Sequence, residues 1–212
     1  MEFDIQNAKN FILTVNHRIQ SSKEYLTDLD STLGDGDLGL TMSKGFSKSE
    51  EFALSYSETD IGKFFMQVGM TFAKSVPSSM GTLMASGFIK GGKAVAGKEA
   101  LTDVDLSEFC MGFVKGIMER GKCKPGSRTI VDAVYPAGVA ALKYAGQPDQ
   151  NVLTIAKNAY HAALEGLEGT KNMKPTIGKA LYHKDKAKGL PDQGAVVGVI
   201  VFQGLYESLK SK

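Results

Sequence analysis

Apolar residues recur at three- and four-residue steps along most of the chain, the spacing of one buried face of an α-helix. The first run covers residues 3–20, and Ser21 or Ser22 is expected to start a second helix. Alternating apolar and polar runs, typical of strands, are few. The pattern predicts an all-α, antiparallel up-and-down bundle of eight or more helices in one domain, residues 1–212. Further helical segments are expected at 40–52, 60–72, 79–90, 106–120, 128–144, 150–168 and 193–209.

Composition excludes several classes of protein. With 42% apolar and 23% charged residues, the chain has a globular rather than a disordered or fibrous composition. Its net charge of +2 gives no reason to expect a nucleic-acid or membrane partner. No apolar run approaches the roughly 18 residues that span a bilayer, and the acidic N-terminus is unlike a signal peptide, so we expect a cytoplasmic protein. Cys110 and Cys123 are expected to be free thiols.

Two glycine-rich segments resemble nucleotide motifs only superficially. Residues 34–39 fit G-x-G-x-x-G, but a helix-like segment precedes them where a dinucleotide fingerprint needs a strand. Residues 92–99 nearly match a phosphate-binding P-loop, but Glu99 stands where that loop needs Ser or Thr for magnesium. The sequence therefore predicts neither a dinucleotide-binding fold at 34–39 nor a P-loop at 92–99.

Three aspartates crowd one glycine-rich corner. Asp30, Asp35 and Asp37 lie within eight residues, and carboxylates so close repel one another unless a cation neutralises them. Such oxygen ligands suit Mg²⁺ or Ca²⁺ rather than zinc, and the pattern of a calcium loop is incomplete here. The corner therefore predicts a magnesium site. The alternative, left open by these residues alone, is that Asp30 and Asp37 only end and cap helices.

Three more polar segments are expected to begin helices, at 75–82, 124–129 and 191–195. A helix start offers unpaired amides and the positive end of a dipole, which favour phosphate, although each start alone is typical of an ordinary cap. If all of them meet the aspartate corner at one end of the bundle, they form a site of nucleotide size. The loop 169–192 is long enough for a functional lid, and a solvated lysine-rich connector is the alternative.

With these motifs, nearly the whole chain resembles the ADP-binding L subunit family of dihydroxyacetone kinases. The similarity lies in Asp30-x4-Asp35-x-Asp37-x-Gly39, in the segment 78–82, in 124–132, in Gly178-Lys-Ala-Leu-Tyr182 and in Asp192-Gln-Gly-Ala195. Leu38, Met80 and Ser127 depart from the family, which has His, Ser and Asp there.

The resemblance implies an eight-helix barrel that binds ADP (or ATP) at one end. Asp30, Asp35 and Asp37 would hold two Mg²⁺ ions. The nucleotide-binding residues that it implies are Leu38, Thr41, Met42, Ser79, Met80, Gly81, Gly121, Thr129, Ile130, Lys179, Asp192, Gln193 and Gly194.

The same resemblance implies that this chain is one subunit of a phosphotransferase. A separate K-type subunit would hold the ketose, so that this chain alone is inactive, and either a phosphohistidine M-type subunit or ATP would supply the phosphoryl group. Lys122, Lys124, Arg128, Lys186 and Lys188 are expected to steer an acidic partner surface to the nucleotide end. A homodimer is left open. The rival functions are a non-catalytic nucleotide sensor of the same fold and a helical metal-binding protein without nucleotide.

Overall fold

The computed structural model describes residues 2–210, and most of these are helical. The first four helices are α1 (Ile5–Ser21), α2 (Lys23–Leu33), α3 (Leu38–Ser55) and α4 (Ile61–Ser75). They are followed by α5 (Ser79–Ala94), α6 (Asp103–Gly121), α7 (Val131–Tyr144) and α8 (Val152–Thr170). A 3-10 turn (Lys179–His183) and the short α9 (Lys184–Ala187) precede α10 (Gln193–Lys210). The predicted all-α class is confirmed.

Eight of these helices close into a ring. Each helix from α3 to α8 packs against the next, α8 packs against α10, α10 against α1, and α1 against α3. This closed ring is the eight-helix barrel that the sequence resemblance implied. Helix α2 lies outside the ring on α3, and it also contacts α10, the 3-10 turn and α9. Because α2 lies outside the ring, its C-terminal residues reach one end of the barrel.

Phenylalanines fill the middle of the ring. Phe88 is fully buried, and its ring lies within 6.5 Å, centroid to centroid, of five other phenylalanine rings. Phe65 and Phe109 approach to 4.3 Å. Buried aromatic side chains of this kind dominate the energetics of a core, so the barrel interior is packed with side chains.

Helix ends follow the expected capping chemistry. Asp60 accepts a hydrogen bond from the Lys63 amide and begins α4, as the sequence predicted. Residues 3–4 were predicted as helix but form a strand, β1 (Phe3–Asp4), paired antiparallel with β2 (Ala100–Leu101). Asp4 caps α1 at Asn7, which is why the helix cannot extend further back. Cys110 and Cys123 are free thiols, as predicted, and both are buried. None of the helices within residues 2–210 is long and apolar enough to cross a membrane.

Candidate nucleotide and metal site

A cavity of about 600 Å³ opens at one end of the barrel. The ends of α2 and α6 reach it, together with the starts of α3, α5 and α10 and the segment just before α7. The four polar helix starts found in the sequence, at the aspartate corner and in 75–82, 124–129 and 191–195, therefore do meet at one end. Residues 177–180 form a further wall.

The aspartate corner lies in this cavity, between α2 and α3. One carboxylate oxygen from each of Asp30, Asp35 and Asp37 lies within 4.8 Å of the other two. Asp30 is buried at the end of α2 and accepts a hydrogen bond from the Leu38 amide at 3.2 Å. Gly36 makes the turn with φ +74°, a conformation that L side chains seldom adopt. The chain thereby folds back and brings the two exposed aspartates beside Asp30.

Close packing of α2 on α3 keeps this corner compact. A side chain at Gly39 would place its Cβ 2.2 Å from the carbonyl oxygen of Lys23 and 2.3 Å from Oγ1 of Thr27. Only a residue without Cβ permits this approach of the two helices. Gly39 therefore sets the distance between the helix that carries Asp30 and the helix that follows Asp37.

Electrostatics separate the two exposed aspartates. Burial and the neighbouring Asp35 carboxylate raise the pKa of Asp37. A hydrogen bond from the Lys179 ammonium lowers the pKa of Asp35, and the same pair raises the pKa of Lys179. Lys179 also forms an ion pair with Asp35. Carboxylates that repel one another are typical of a cation site. Here the ammonium of Lys179, in the 177–180 wall, contacts the Asp35 carboxylate.

The donor set at the corner fits a hard divalent cation. Three carboxylates supply oxygen ligands, and Gln193 at the start of α10 donates from Nε2 to Oδ1 of Asp30 at 3.4 Å. The side-chain oxygen Oε1 of Gln193 is buried without a hydrogen-bond partner among the described residues. An oxygen left unpaired at the edge of an acidic cluster is the kind of atom that a hydrated cation would satisfy.

Helix α5 presents its N-terminus to the same cavity. The Ser78 hydroxyl accepts the Gly81 amide at 3.0 Å and so caps the helix. The cap leaves the amides of Ser79 and Met80 at the positive end of the helix dipole, where anions are favoured. Gly81 was expected to offer its amide as well, but this amide is engaged by Ser78, and the residue is buried and does not line the cavity.

The cavity wall formed by the segment before α7 and the start of α10 holds a buried ion pair. Nη1 of Arg128 lies 3.5 Å from Oδ1 of Asp192, and both side chains are almost completely buried. Burial raises the pKa of Asp192 to about 6, against the lowering effects of the Ala195 amide and the Arg128 guanidinium. The expectation that Arg128 is an exposed steering cation was wrong, because only 1% of the residue is accessible.

Most of the predicted site residues line the cavity, and three do not. Met42 is fully buried in the core of the barrel, Thr41 lies one turn into α3, and Gly81 was described above. The residues that do line it are Asp30, Asp35, Asp37, Leu38, Ser79, Met80, Gly121, Thr129, Ile130, Lys179, Asp192, Gln193 and Gly194.

Sequence reasoning missed several residues of the cavity wall. Leu83 lies four residues after Ser79, so helical periodicity places it on the same face of α5. Arg120 is the last cation of α6, a position that helix polarity favours for a basic residue. Cys123 lies just beyond Gly121, so the end of α6 brings it to the cavity, whereas Ile177 carries no local signal and comes from a segment distant in sequence.

Comparison with known proteins gives consistent matches. Residues 32–207 match the model of the DAK2 domain. The chain is 30% identical over 196 residues, 92% of its length and 93% of the relative's, to the Escherichia coli protein named PEP-dependent dihydroxyacetone kinase, ADP-binding subunit DhaL. A Listeria innocua protein with the corresponding name, dihydroxyacetone kinase 1, is 29% identical over 98% of both chains.

A solved structure supports the fold. The dihydroxyacetone kinase from C. freundii in complex with AMP-PNP and Mg²⁺ superposes with a TM-score of 0.71 at 23% identity. The match covers 95% of this chain and 33% of that one, so the barrel corresponds to about a third of the larger kinase chain.

Proposed function

The chain belongs to the DAK2 domain family, and from this premise we propose that it is the nucleotide-binding subunit of a kinase for dihydroxyacetone or a related short ketose. The two bacterial relatives named as ADP-binding subunits match over 93% and 98% of their own lengths.

One observation carries the proposal. A single cavity of nucleotide size contains both the three clustered aspartates and the open N-terminus of α5. Carboxylates suit magnesium, and helix-start amides suit phosphate. Phosphoryl transfer needs mainly these two things, because positioning and charge neutralisation provide most of its catalysis.

In this proposal Asp30, Asp35 and Asp37 would hold two Mg²⁺ ions, whose chemistry is to neutralise the nucleotide phosphates. The amides of Ser79 and Met80 would bind phosphate oxygens, and Lys179 would add a cation from the 177–180 wall. Thr129, Ile130 and Gly194 would border the rest of the nucleotide. No covalent intermediate on this chain is required.

The ketose would lie on a separate subunit, which is the finer part of the proposal. The relatives are named as subunits, and the aspartate cluster and the helix start at the cavity suit metal and phosphate rather than a ketose. A K-type subunit would present the substrate hydroxyl to the phosphate. The donor would be a phosphohistidine carrier of the M type, in keeping with the names of the bacterial relatives, and ATP is the alternative donor.

The nucleotide content of the purified protein tests the function. We expect ADP in the supernatant after denaturation, and we expect added ADP to raise the melting temperature with MgCl₂ but not with EDTA. A nucleotide sensor of the same fold would pass this test but would not support ketose phosphorylation when partner subunits are added. Absence of nucleotide binding with and without magnesium would contradict both.

A further inference from the structure

Between α8 and α10 the chain folds over the mouth of the cavity. This lid segment, residues 171–191, includes the 3-10 turn and α9, and its residues 177–180 line the cavity. Its ends are held together, because the Gly189 amide donates to the Lys171 carbonyl at 3.0 Å. The loop before α7 contacts this segment through Ser127 and Arg128.

Arg128 holds the C-terminal half of the lid segment. Its Nη2 donates to three carbonyl oxygens, those of Ala187 at 3.2 Å, Leu190 at 3.0 Å and Pro191 at 3.4 Å. The backbone at Arg128 has φ +59°, an uncommon conformation for a residue other than glycine. The side chain is thus turned inward from a loop whose neighbours in sequence, Lys124 and Gly126, are exposed.

The residue before it holds the N-terminal half. The Ser127 carbonyl accepts hydrogen bonds from both the amide and the hydroxyl of Thr176, each at 3.2 Å. Two consecutive residues therefore contact both halves of the lid segment. Thr129 and Ile130, which follow directly, line the cavity.

Burying this guanidinium costs free energy that simple packing would avoid. Two of its nitrogens, Nε and Nη1, have no hydrogen-bond partner among the described residues, and its counter-charge, Asp192, lies at 3.5 Å. An apolar side chain would avoid this cost but would leave the buried Asp192 carboxylate and the three carbonyl oxygens without the guanidinium. The planar fork of an arginine is suited instead to holding several acceptors in one fixed arrangement.

We propose that Arg128 is a positioning residue that fastens the lid segment over the nucleotide cavity and thereby slows nucleotide release. The proposal rests on the proposed function for the identity of the ligand. It concerns the rate of dissociation, because a fastened lid must open before a bound nucleotide leaves. Association to open molecules is affected less.

The test compares Arg128→Met, which keeps length and removes every donor, with Lys157→Met, which removes an exposed cation of α8 that does not line the cavity. Dissociation of a fluorescent ADP analogue in MgCl₂ is followed by stopped flow after dilution into excess ADP. We expect Arg128→Met to dissociate at least about tenfold faster, as the loss of charged hydrogen bonds implies, with association within about threefold of wild type. Lys157→Met should release the analogue at the wild-type rate.

Hydrogen exchange separates this proposal from the proposed function. Without nucleotide, Arg128→Met should accelerate exchange in residues 171–191 and leave exchange in α4 and α5 unchanged. If the wild-type protein binds no ADP analogue, the proposed function fails. The exchange comparison still tests whether Arg128 fastens the lid segment. Unchanged exchange in the lid segment, or faster exchange with unchanged dissociation, would overturn the proposal. Should Arg128→Met not fold, Arg128→Lys and Thr176→Val, which each weaken the same attachment, are held to the same expectations.

Discussion

At the scale of single residues, the acidic corner depends on neighbours that are not themselves acidic. Gln193 donates to Asp30 from the start of α10, and Gly36 allows the turn that returns Asp35 and Asp37 to the end of α2. Lys179 pairs with Asp35 from the lid segment. The site is therefore assembled from one segment near the start of the chain and two segments near its end.

Replacing Gln193 tests whether this neighbour matters. Gln193→Leu keeps the volume and removes the hydrogen bond to Asp30 and the unpaired oxygen. We expect magnesium-dependent ADP affinity to fall roughly 2- to 10-fold, as the loss of one hydrogen bond implies. Gln203→Leu, on the same helix but bonded to Glu207, is the matched control. Equal affinities for the two variants, measured by calorimetry, would remove Gln193 from the site.

The aspartate corner could be predicted from its local sequence, whereas the burial of Arg128 could not. Three carboxylates and three glycines within ten residues carry their own signal, because crowded charge needs a cation. Arg128 lies in a polar, glycine-containing segment that is typical of exposed loops. Its burial comes from carbonyls about 60 residues later in the chain, at Ala187 and Leu190, and no local pattern records that contact.

At the scale of elements, the helices follow the apolar periodicity closely, and their ends follow the caps. Helix α6 illustrates this, since Thr102 and Asp105 form a reciprocal capping box at its start. Its other end delivers Arg120, Gly121 and Cys123 to the cavity. The lid segment was less predictable, because its 3-10 turn and α9 are too short for periodicity to show.

The capping box makes stability depend on pH. Burial acts to raise the pKa of Asp105, but hydrogen bonds from Lys98 and Thr102 hold that pKa below its usual value. A lowered pKa contributes stability above the unfolded-state value of about 3.9, and this contribution is lost as pH falls through the folded-state value. Asp105→Ala should therefore cost about 1 kcal/mol at pH 7.

Urea unfolding at several pH values checks this expectation. The difference between wild type and Asp105→Ala should shrink as the pH falls below about 4. Glu108→Ala, an exposed carboxylate on the same helix, should change stability by less than about 0.5 kcal/mol. A difference between wild type and Asp105→Ala that is independent of pH would show that the charge of Asp105 contributes nothing.

At the scale of the whole molecule, the ring of helices brings the polar starts of α3, α5 and α10 and the polar segment before α7 to one end, around the cavity. A partner that exchanges a phosphoryl group with a nucleotide there must dock on that end. Lys122 and Lys124 are exposed beside the cavity, whereas Lys143 and Lys157 are exposed elsewhere on α7 and α8. The first pair is suited to steering an acidic partner surface.

Reversing these charges tests the docking end. We expect the Lys122→Glu, Lys124→Glu double variant to associate with the proposed K-type partner about tenfold more slowly at low salt, with a weaker dependence on salt. The Lys143→Glu, Lys157→Glu variant has the same net charge and should associate at a rate closer to wild type. Equal slowing of both variants would assign the effect to net charge and contradict a specific docking end.

The central claim is that the aspartate corner holds the metal through which nucleotide binds. Calorimetric titration of ADP in saturating MgCl₂ tests it with Asp37→Asn and Asp28→Asn. Asp37 belongs to the carboxylate cluster, whereas Asp28 is exposed on α2, outside that cluster. We predict that Asp37→Asn weakens ADP binding at least about 100-fold and that Asp28→Asn binds like wild type. Equal affinities for the two variants would contradict the account.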